Sequence, residues 1–121
     1  MTPNFRAWLD PDMYEEPVIH NGKFYLDWRD FEDGNTYDLA VLMQSTGMLD
    51  KNGVEIFDGD IVKLRYTISS DFELFKVNQF RGGSWRIDNR RRGSDLWLRN
   101  EDCEVIGNIH ENPELLESVN E

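Results

Sequence analysis

The chain has 121 residues, of which 39% are hydrophobic and 12% aromatic, and its formal net charge is −11. This length predicts one domain with a single modest core, which can fold without metal or disulfide staples. Cys103 is the single cysteine, which excludes an intrachain disulfide. We see no secretory signal and no apolar run of about 18 residues, so we expect a cytoplasmic protein with no membrane contact. The net negative charge argues against general nucleic-acid binding, because it repels phosphate at long range.

The charge is unevenly distributed along the chain. Segment 81–99 holds six arginines against two aspartates, a local balance of +4, so the remainder carries −15. Two interpretations stay open for this segment. It is either an exposed loop that its arginines keep soluble, or a binding loop.

In the first half of the chain, apolar residues alternate with polar ones in "NFRAWLD", which predicts a strand. In "PVIHNGKFYLDW", Asn21 and Gly22 separate two apolar runs, and this pair favours a two-residue hairpin because both turn positions need positive φ. The stretch "YDLAVLMQS" shows little alternation, and its residues Leu39, Val41 and Met43 favour a strand over a short helix.

The second half reads as further short strands. A turn at Asn52 and Gly53 leads to a short apolar patch, and the next strand places Val62, Leu64, Tyr66 and Ile68 on one face. The strands that follow are predicted in "FELFKVNQF", around Trp85 and Ile87, in "DLWLRN" and in "CEVIGNIH". Asn112 and Pro113 then predict the start of a helical turn, "PELLE". Strands at this spacing are typical of a mainly β protein with a small barrel or a strongly bent sheet.

Asp58, Gly59 and Asp60 form the most patterned acidic motif. A hard-cation loop needs several oxygen ligands at regular spacing and a closing acidic residue. Here the motif runs directly into "IVKLR", which has the pattern of a strand and contains no acidic residue. We therefore predict a structural turn in which Gly59 takes positive φ and the Asp side chains accept backbone amides, with no metal bound.

No set of residues suggests catalysis. His20, His110 and Cys103 lack zinc-ligand spacing, and "RGGS" lacks the lysine and the helix of a phosphate-binding loop. We can assemble no nucleophile or general base beside an orienting partner. We expect no enzymatic activity and no cofactor.

An arginine loop is the best candidate binding site. Arg90, Arg91 and Arg92 precede a glycine and are flanked by Trp85 and Trp97. Guanidinium groups beside indoles suit single-stranded nucleic acid, where phosphate contact is combined with base stacking. Trp and Arg are also the enriched anchors of protein interfaces. Because the chain is acidic overall, we favour a protein interface, with the arginine loop of one subunit against an acidic face of the next.

Three segments carry a family resemblance. "LMQSTGMLDKNGVEIFDGDIVKL" at 42–64 resembles the YopX family of bacteriophage and prophage proteins, in which a Q-x-T-G-L-x-D-K-N-G segment leads into an acidic G-D-I-V strand. "FRAWLD" is similar to the opening of that family, and "VIGNIHENPELLE" is similar to its closing segment. Together they cover about a third of the chain in collinear order. Ser45 and Met48 depart from the pattern, and segment 68–102, which contains the arginine loop, matches no part of it.

The resemblance implies a single YopX-like domain over 1–121, with an N-terminal β region at 1–49 and an SH3-like barrel at 50–113. It also implies a phage or prophage accessory protein that acts in the cytoplasm of a bacterial host, and it transfers no catalytic residue. We expect a non-enzymatic protein-binding module that forms a homo-oligomer and also binds a host protein. The alternatives are single-stranded nucleic-acid binding by the arginine loop, and an acidic surface that mimics DNA to decoy a host protein.

Overall fold

A computed structural model describes residues 5–10, 12–15, 17–20, 23–25, 32, 41–81 and 83–119. In this part of the chain most of the regular structure is β, as predicted, and the strands form curled sheets that include a half-barrel. The strands are β1 Phe5–Leu9, β2 Asp12–Tyr14, β3 Val18–His20, β4 Lys23–Tyr25, β5 Val41–Leu49, β6 Glu55–Phe57, β7 Asp60–Arg65, β8 Phe72–Gln79, β9 Trp85–Asp88, β10 Gly93–Asp95 and β11 Glu104–Asn108. A 3-10 helix spans Leu96–Leu98 and an α-helix, α1, spans Pro113–Val119. Across the described ranges, no helix has the length and apolar character needed to cross a membrane.

The chain divides into two compact units, Met1–Ser45 and Thr46–Glu121, and the division falls within β5. In the first unit, β1 pairs antiparallel with β2 on one side and with β5 on the other. Strands β3 and β4 form the predicted antiparallel pair, ending at His20 opposite Lys23. The turn residues Asn21 and Gly22 lie outside the described residues, as does Leu39 of the predicted third strand.

The second unit is built on a five-stranded antiparallel sheet with the order β10-β9-β8-β7-β11. Its core is a cluster of fully buried side chains with Phe75 at the centre of β8: Ile56, Val62, Leu64, Phe75, Val77, Ile87, Leu96 and Cys103. The curl of the sheet is seen in one contact: the Tyr66 hydroxyl after β7 donates a hydrogen bond of 3.3 Å to the carbonyl of Gly93 on β10. These two strands are separated by two others in the sheet.

The predicted strand from Val62 to Ile68 is confirmed in its first part and wrong at its end. Val62 and Leu64 are buried and Tyr66 packs against the same cluster, as the alternation predicted. Strand β7 nevertheless ends at Arg65, and Ile68 is 95% exposed. The Ser70 hydroxyl accepts the N–H of Thr67 at 2.9 Å, and this side-chain bond turns the chain before the alternation can continue.

The segment "DLWLRN" was predicted as a strand, and this is wrong. Leu96–Leu98 forms a 3-10 helix, because the N–H groups of Arg99 and Asn100 both donate to the Leu96 carbonyl, at 2.9 and 2.8 Å. The predicted helical turn after Asn112 is confirmed and extends to Val119. The Asn112 side chain does not cap it. Its oxygen accepts the N–H of Asn108 at 3.2 Å instead.

Candidate functional site

The Asp58-Gly59-Asp60 motif is a turn that connects three strands. Gly59 has φ +85°, in the left-handed region that favours glycine, which confirms the prediction. Its N–H donates to the carbonyl of Val77 at 3.0 Å, and its own carbonyl accepts the N–H of Ile109 at 3.0 Å. Gly59 therefore ties the start of β7 to β8 and to the residue after β11.

Two buried aspartates hold the backbone around this turn. The carboxylate of Asp60, fully buried, accepts the N–H of Phe57 at 2.8 Å. Asp50 accepts three backbone N–H groups, from Asn52 and Val54 on Oδ1 and from Val105 on Oδ2. Burial alone would raise the pKa of Asp50, but these three donors hold it below its ordinary value. Both oxygens of Asp50 are thus engaged by the backbone, and its role is to join the loop after β5 to β11.

The Asp50 loop is a position that sequence reasoning underrated. The sequence indicated a turn at Asn52 and Gly53 but no structural role for Asp50. The sequence did contain a local pattern for this loop, since Asp50 precedes Asn52 by two residues and Gly53 by three, as in an Asx turn. Gly53 has φ +79°, which confirms the predicted turn, and its N–H donates to the Asp50 carbonyl at 3.0 Å.

Burial also shifts the pKa values of two other groups, Asp58 and Cys103. Burial raises the pKa of Asp58, which the nearby positive charges of Lys76 and His110 oppose. Burial also raises the pKa of the Cys103 thiol to about 12, with the charge of Asp50 acting in the same direction. This thiol is therefore protonated and shielded at neutral pH, the opposite of what a nucleophile needs. In the described ranges, no group of three or more His, Cys, Asp and Glu side chains is placed to hold a metal ion.

The predicted arginine loop is the tip of the hairpin formed by β9 and β10. The N–H of Asn89 donates to the carbonyl of Arg92 at 2.9 Å, which leaves Arg90 and Arg91 as the two tip residues. The Asn89 side-chain oxygen accepts the N–H groups of Arg91 and Arg92, each at 2.9 Å. Its amide nitrogen donates to the carbonyl of Leu74 at 3.1 Å. One asparagine therefore shapes the tip and fixes it to β8.

The structure divides the arginine triplet into two kinds of residue. Arg90 and Arg91 are exposed at the tip. Arg92 is half-buried, with Nε 3.4 Å from a carboxylate oxygen of Glu73 and its guanidinium 4.9 Å from the ring centroid of Tyr66. Arg99 lies over the same ring at 4.5 Å and donates to the Tyr66 carbonyl at 2.8 Å. Arg92 and Arg99 are structural, whereas Arg90 and Arg91 are available to a partner.

The two indoles are also divided. Trp85 is half-buried and packs against the core cluster, whereas Trp97 is 65% exposed. Trp85 lies at the end of β9 away from the tip, and the four residues of β9 correspond to a length of about 13 Å. The five candidate residues therefore do not form one arginine–indole cluster. Two guanidinium groups of this segment, those of Arg92 and Arg99, stack on Tyr66, which the sequence did not indicate.

A second surface was missed in the sequence. Phe72 at the start of β8 is 51% exposed, with Lys63 Nζ 4.8 Å and Arg65 Cζ 4.6 Å from its ring centroid. It borders a groove of about 330 Å³, which we call the cationic groove. The groove is lined by Phe72, Glu73, Leu74, Asn89, Arg91, Ser118 and Val119. The available signal was the face of β7 opposite Val62 and Leu64, on which Lys63 and Arg65 alternate.

Comparison with known proteins agrees with this architecture. The structure is similar to the crystal structure of protein EF1440 from Enterococcus faecalis, with a TM-score of 0.65 and 28% identity over 96% of this chain and 99% of the other. It is also similar in fold to protein yopX from Bacillus subtilis, with a TM-score of 0.61 and 24% identity over 98% of this chain and 99% of the other. A comparison with curated proteins gave no significant match.

The family match covers nearly the whole sequence. The family model described as YopX protein matches residues 4–117. This range includes segment 68–102, which carries the arginine hairpin and Trp97 and which showed no family pattern by eye. The expected resemblance is thereby confirmed, and the chain belongs to the YopX family.

Proposed function

We propose that this protein is a non-enzymatic protein-binding module that self-associates, with Trp97 and Leu98 as its apolar anchor. One observation carries the proposal: adjacent large side chains, 65% and 54% exposed, project from the same 3-10 helix. Exposed aromatic and apolar residues that lie together are typical of protein interfaces, and Trp is the residue most enriched among their strongest contacts. The expected setting is an accessory protein of a phage or prophage, in the cytoplasm of its bacterial host.

The residues next to Trp97 and Leu98 are fixed by burial and hydrogen bonds, which supports a binding role for the anchor. Leu96, the first residue of the 3-10 helix, is fully buried in the core cluster. Arg99 at its end is fixed by its bond to the Tyr66 carbonyl, and the Asn100 side chain donates to the Leu49 carbonyl at 2.8 Å. A side chain presented by an ordered support loses less conformational entropy on binding than one on a free loop.

The charge distribution supports a second copy of the chain as the partner. Arg90 and Arg91 add two exposed positive charges at the hairpin tip, while the chain as a whole carries −11. A tip of one sign on a molecule of the other sign is electrostatically complementary to many surfaces of an identical molecule. Contact between different surfaces of two copies is heterologous and leads to rings or longer assemblies. A host protein is the other expected partner class.

Sedimentation velocity of matched variants tests the anchor. We expect Trp97→Ser to shift the wild-type assembly to monomer, because the substitution removes the apolar contact without touching the core. Ile68→Ser is the control, since Ile68 is still more exposed but lies alone in a turn. Assembly that survives Trp97→Ser unchanged, or that Ile68→Ser weakens equally, would contradict the proposed anchor.

Single-stranded nucleic acid remains the second candidate, supported by the two exposed guanidinium groups at the tip. Because Arg92 pairs with Glu73, Arg90 and Arg91 are the two arginines of the triplet that are offered to phosphate. Replacing both by Ala would then reduce the salt dependence of oligonucleotide binding by about two released ions. Fluorescence anisotropy with a labelled oligonucleotide over a salt series measures this slope. Absence of binding at low salt would remove this candidate.

A further inference from the structure

The cationic groove has a mixed polar and apolar character that the Trp97 surface does not share. Its lining contains the partly exposed apolar side chains Phe72 and Leu74, the buried Val119 and the exposed Arg91. Lys63 and Arg65 lie over the Phe72 ring and extend the positive charge beyond the groove. Their guanidinium and ammonium groups remain exposed, so they can interact with a ligand while they hold the ring.

The acidic residue of the groove does not cancel this charge. Glu73 pairs through one carboxylate oxygen with Arg92 Nε at 3.4 Å and accepts the Asn89 amide through the other at 3.3 Å. Its charge is therefore balanced within the protein. Arg91 in the groove and Lys63 and Arg65 on the adjoining Phe72 ring are exposed cations, in a chain of net charge −11. A concentrated positive site on an acidic protein selects a ligand with local negative charge.

The apolar walls decide which anionic ligand fits best. A volume of about 330 Å³ suits one or two side chains, and contact with Phe72 and Leu74 favours an aliphatic or aromatic group. The overall negative charge also opposes a long polyanion more strongly than a short one.

We infer that the cationic groove binds a short acidic peptide segment of another protein, with one apolar side chain packed on Phe72 and Leu74 and flanking carboxylates paired with Arg91, Lys63 and Arg65. The groove contains neither Trp97 nor Leu98, although it shares Arg91 with the hairpin tip, and we infer that it binds peptide without self-association. It predicts recognition of an acidic sequence that contains an isolated large apolar residue. The class of partner follows from the charge and the walls of the groove.

Fluorescence anisotropy with the full chain tests the site. The probe is a fluorescein-labelled nonapeptide with one central leucine among glutamates, and the comparison probes replace that leucine by serine or the peptide by a nine-nucleotide DNA strand. We expect the leucine peptide to bind, the serine peptide to bind about tenfold more weakly, and added salt to weaken both. No binding of the leucine peptide by the wild-type chain at low salt would overturn the inference. Preferential binding of the DNA strand would overturn it in favour of nucleic acid.

Charge reversal locates the site on the protein. Arg91→Glu is expected to weaken peptide binding at least about tenfold, because it replaces a favourable charge pair by a repulsive one. Arg81→Glu is the matched control, with the same change in net charge at an exposed position on a different turn. Equal losses in the two variants would show a general charge effect and contradict the groove. We expect the monomeric Trp97→Ser variant still to bind the peptide, because the groove does not need self-association. Loss of peptide binding in this variant would contradict that part of the inference.

Discussion

Arg92 holds its guanidinium 4.9 Å from the centre of the Tyr66 ring, on the inner side of a hairpin whose tip residues are exposed. The same side chain pairs with Glu73 at 3.4 Å. Three consecutive arginines of identical chemistry therefore serve two purposes. The division follows from the Asn89 turn, which points Arg90 and Arg91 outward and returns Arg92 to the sheet.

This division predicts unequal effects of alanine substitution. Arg92→Ala should lower the free energy of unfolding by about 1 kcal/mol, because it removes a partly exposed ion pair and a cation–π contact. Arg91→Ala should change it by less than about 0.5 kcal/mol, as for an exposed residue. Urea denaturation of both variants measures the difference. Equal effects would show that the Tyr66 contact does not stabilise the fold.

Asp50 and Asp58 should respond to pH in opposite ways. The pKa of Asp50 is lowered in the folded state, so its stabilisation is present above the unfolded value of about 3.9 and is lost as pH falls through the folded value. Wild-type Asp50 accepts three N–H groups with two oxygens, whereas Asn has one acceptor oxygen. Asp50→Asn should therefore lower the free energy of unfolding by about 1 to 3 kcal/mol at pH 7. The difference in the free energy of unfolding between Asp50→Asn and the wild type should decrease below about pH 4.

Asp58 is the matched control for that experiment. Burial raises the pKa of Asp58, so the folded state disfavours its charge and stability falls as pH rises from the unfolded to the folded value. Asp58→Asn should therefore leave stability unchanged or higher at pH 7. Urea denaturation at pH 7 and pH 3 compares both variants. A loss at Asp58 as large as that at Asp50 would contradict the assignment of Asp50 as the structural carboxylate.

The Gly59 turn predicts a backbone-specific effect. Gly59→Val should lower stability by about 1 to 3 kcal/mol, the usual scale for a β-branched residue forced to φ +85°. Gly83→Ala is the control, since Gly83 lacks a positive φ and a Cβ there would lie 3.4 Å from the Phe80 carbonyl. Thermal melts of the two variants decide. A Gly59→Val melt that matches wild type would mean that the strained conformation is not required.

Cys103 should be inert in the native protein. Its side chain is fully buried, and its pKa of about 12 keeps the thiolate scarce at pH 8. A thiol reagent such as dithionitrobenzoate should therefore react slowly with the folded chain and promptly in urea. Complete reaction of the folded chain within the time needed in urea would show that the core around Cys103 opens readily.

Local signals in the sequence predicted much of the sheet. Alternation identified Val62 and Leu64 as core residues, and Asn-Gly and Asp-Gly pairs located the turns at Gly53 and Gly59 because the backbone there needs positive φ. Two elements were predicted wrongly, because the hydrogen bonds that determine them do not appear in the alternation of polar and apolar residues. The Ser70 hydroxyl ends the strand before Ile68, and repeated bonds to the Leu96 carbonyl wind an apolar stretch into a 3-10 helix.

The candidate site was less predictable than the fold. Trp97 could be named because Trp is a common interface residue, but the sequence did not indicate that Trp85 would be half-buried against the core cluster while Trp97 is exposed. The cationic groove combines Phe72, Arg91 and Val119 from β8, the hairpin tip and the end of α1. These residues are distant in the sequence, so only the folded chain brings them together. The sequence pattern placed Lys63 and Arg65 on the polar face of their strand but did not indicate that both lie over the Phe72 ring.

Light scattering of the wild-type chain across a concentration series in moderate salt tests the proposed self-association most directly. The chain mass is 14.3 kDa. We predict a mass of at least twice this value at micromolar concentration, falling toward the monomer on dilution. A constant monomer mass over the whole range would contradict self-association.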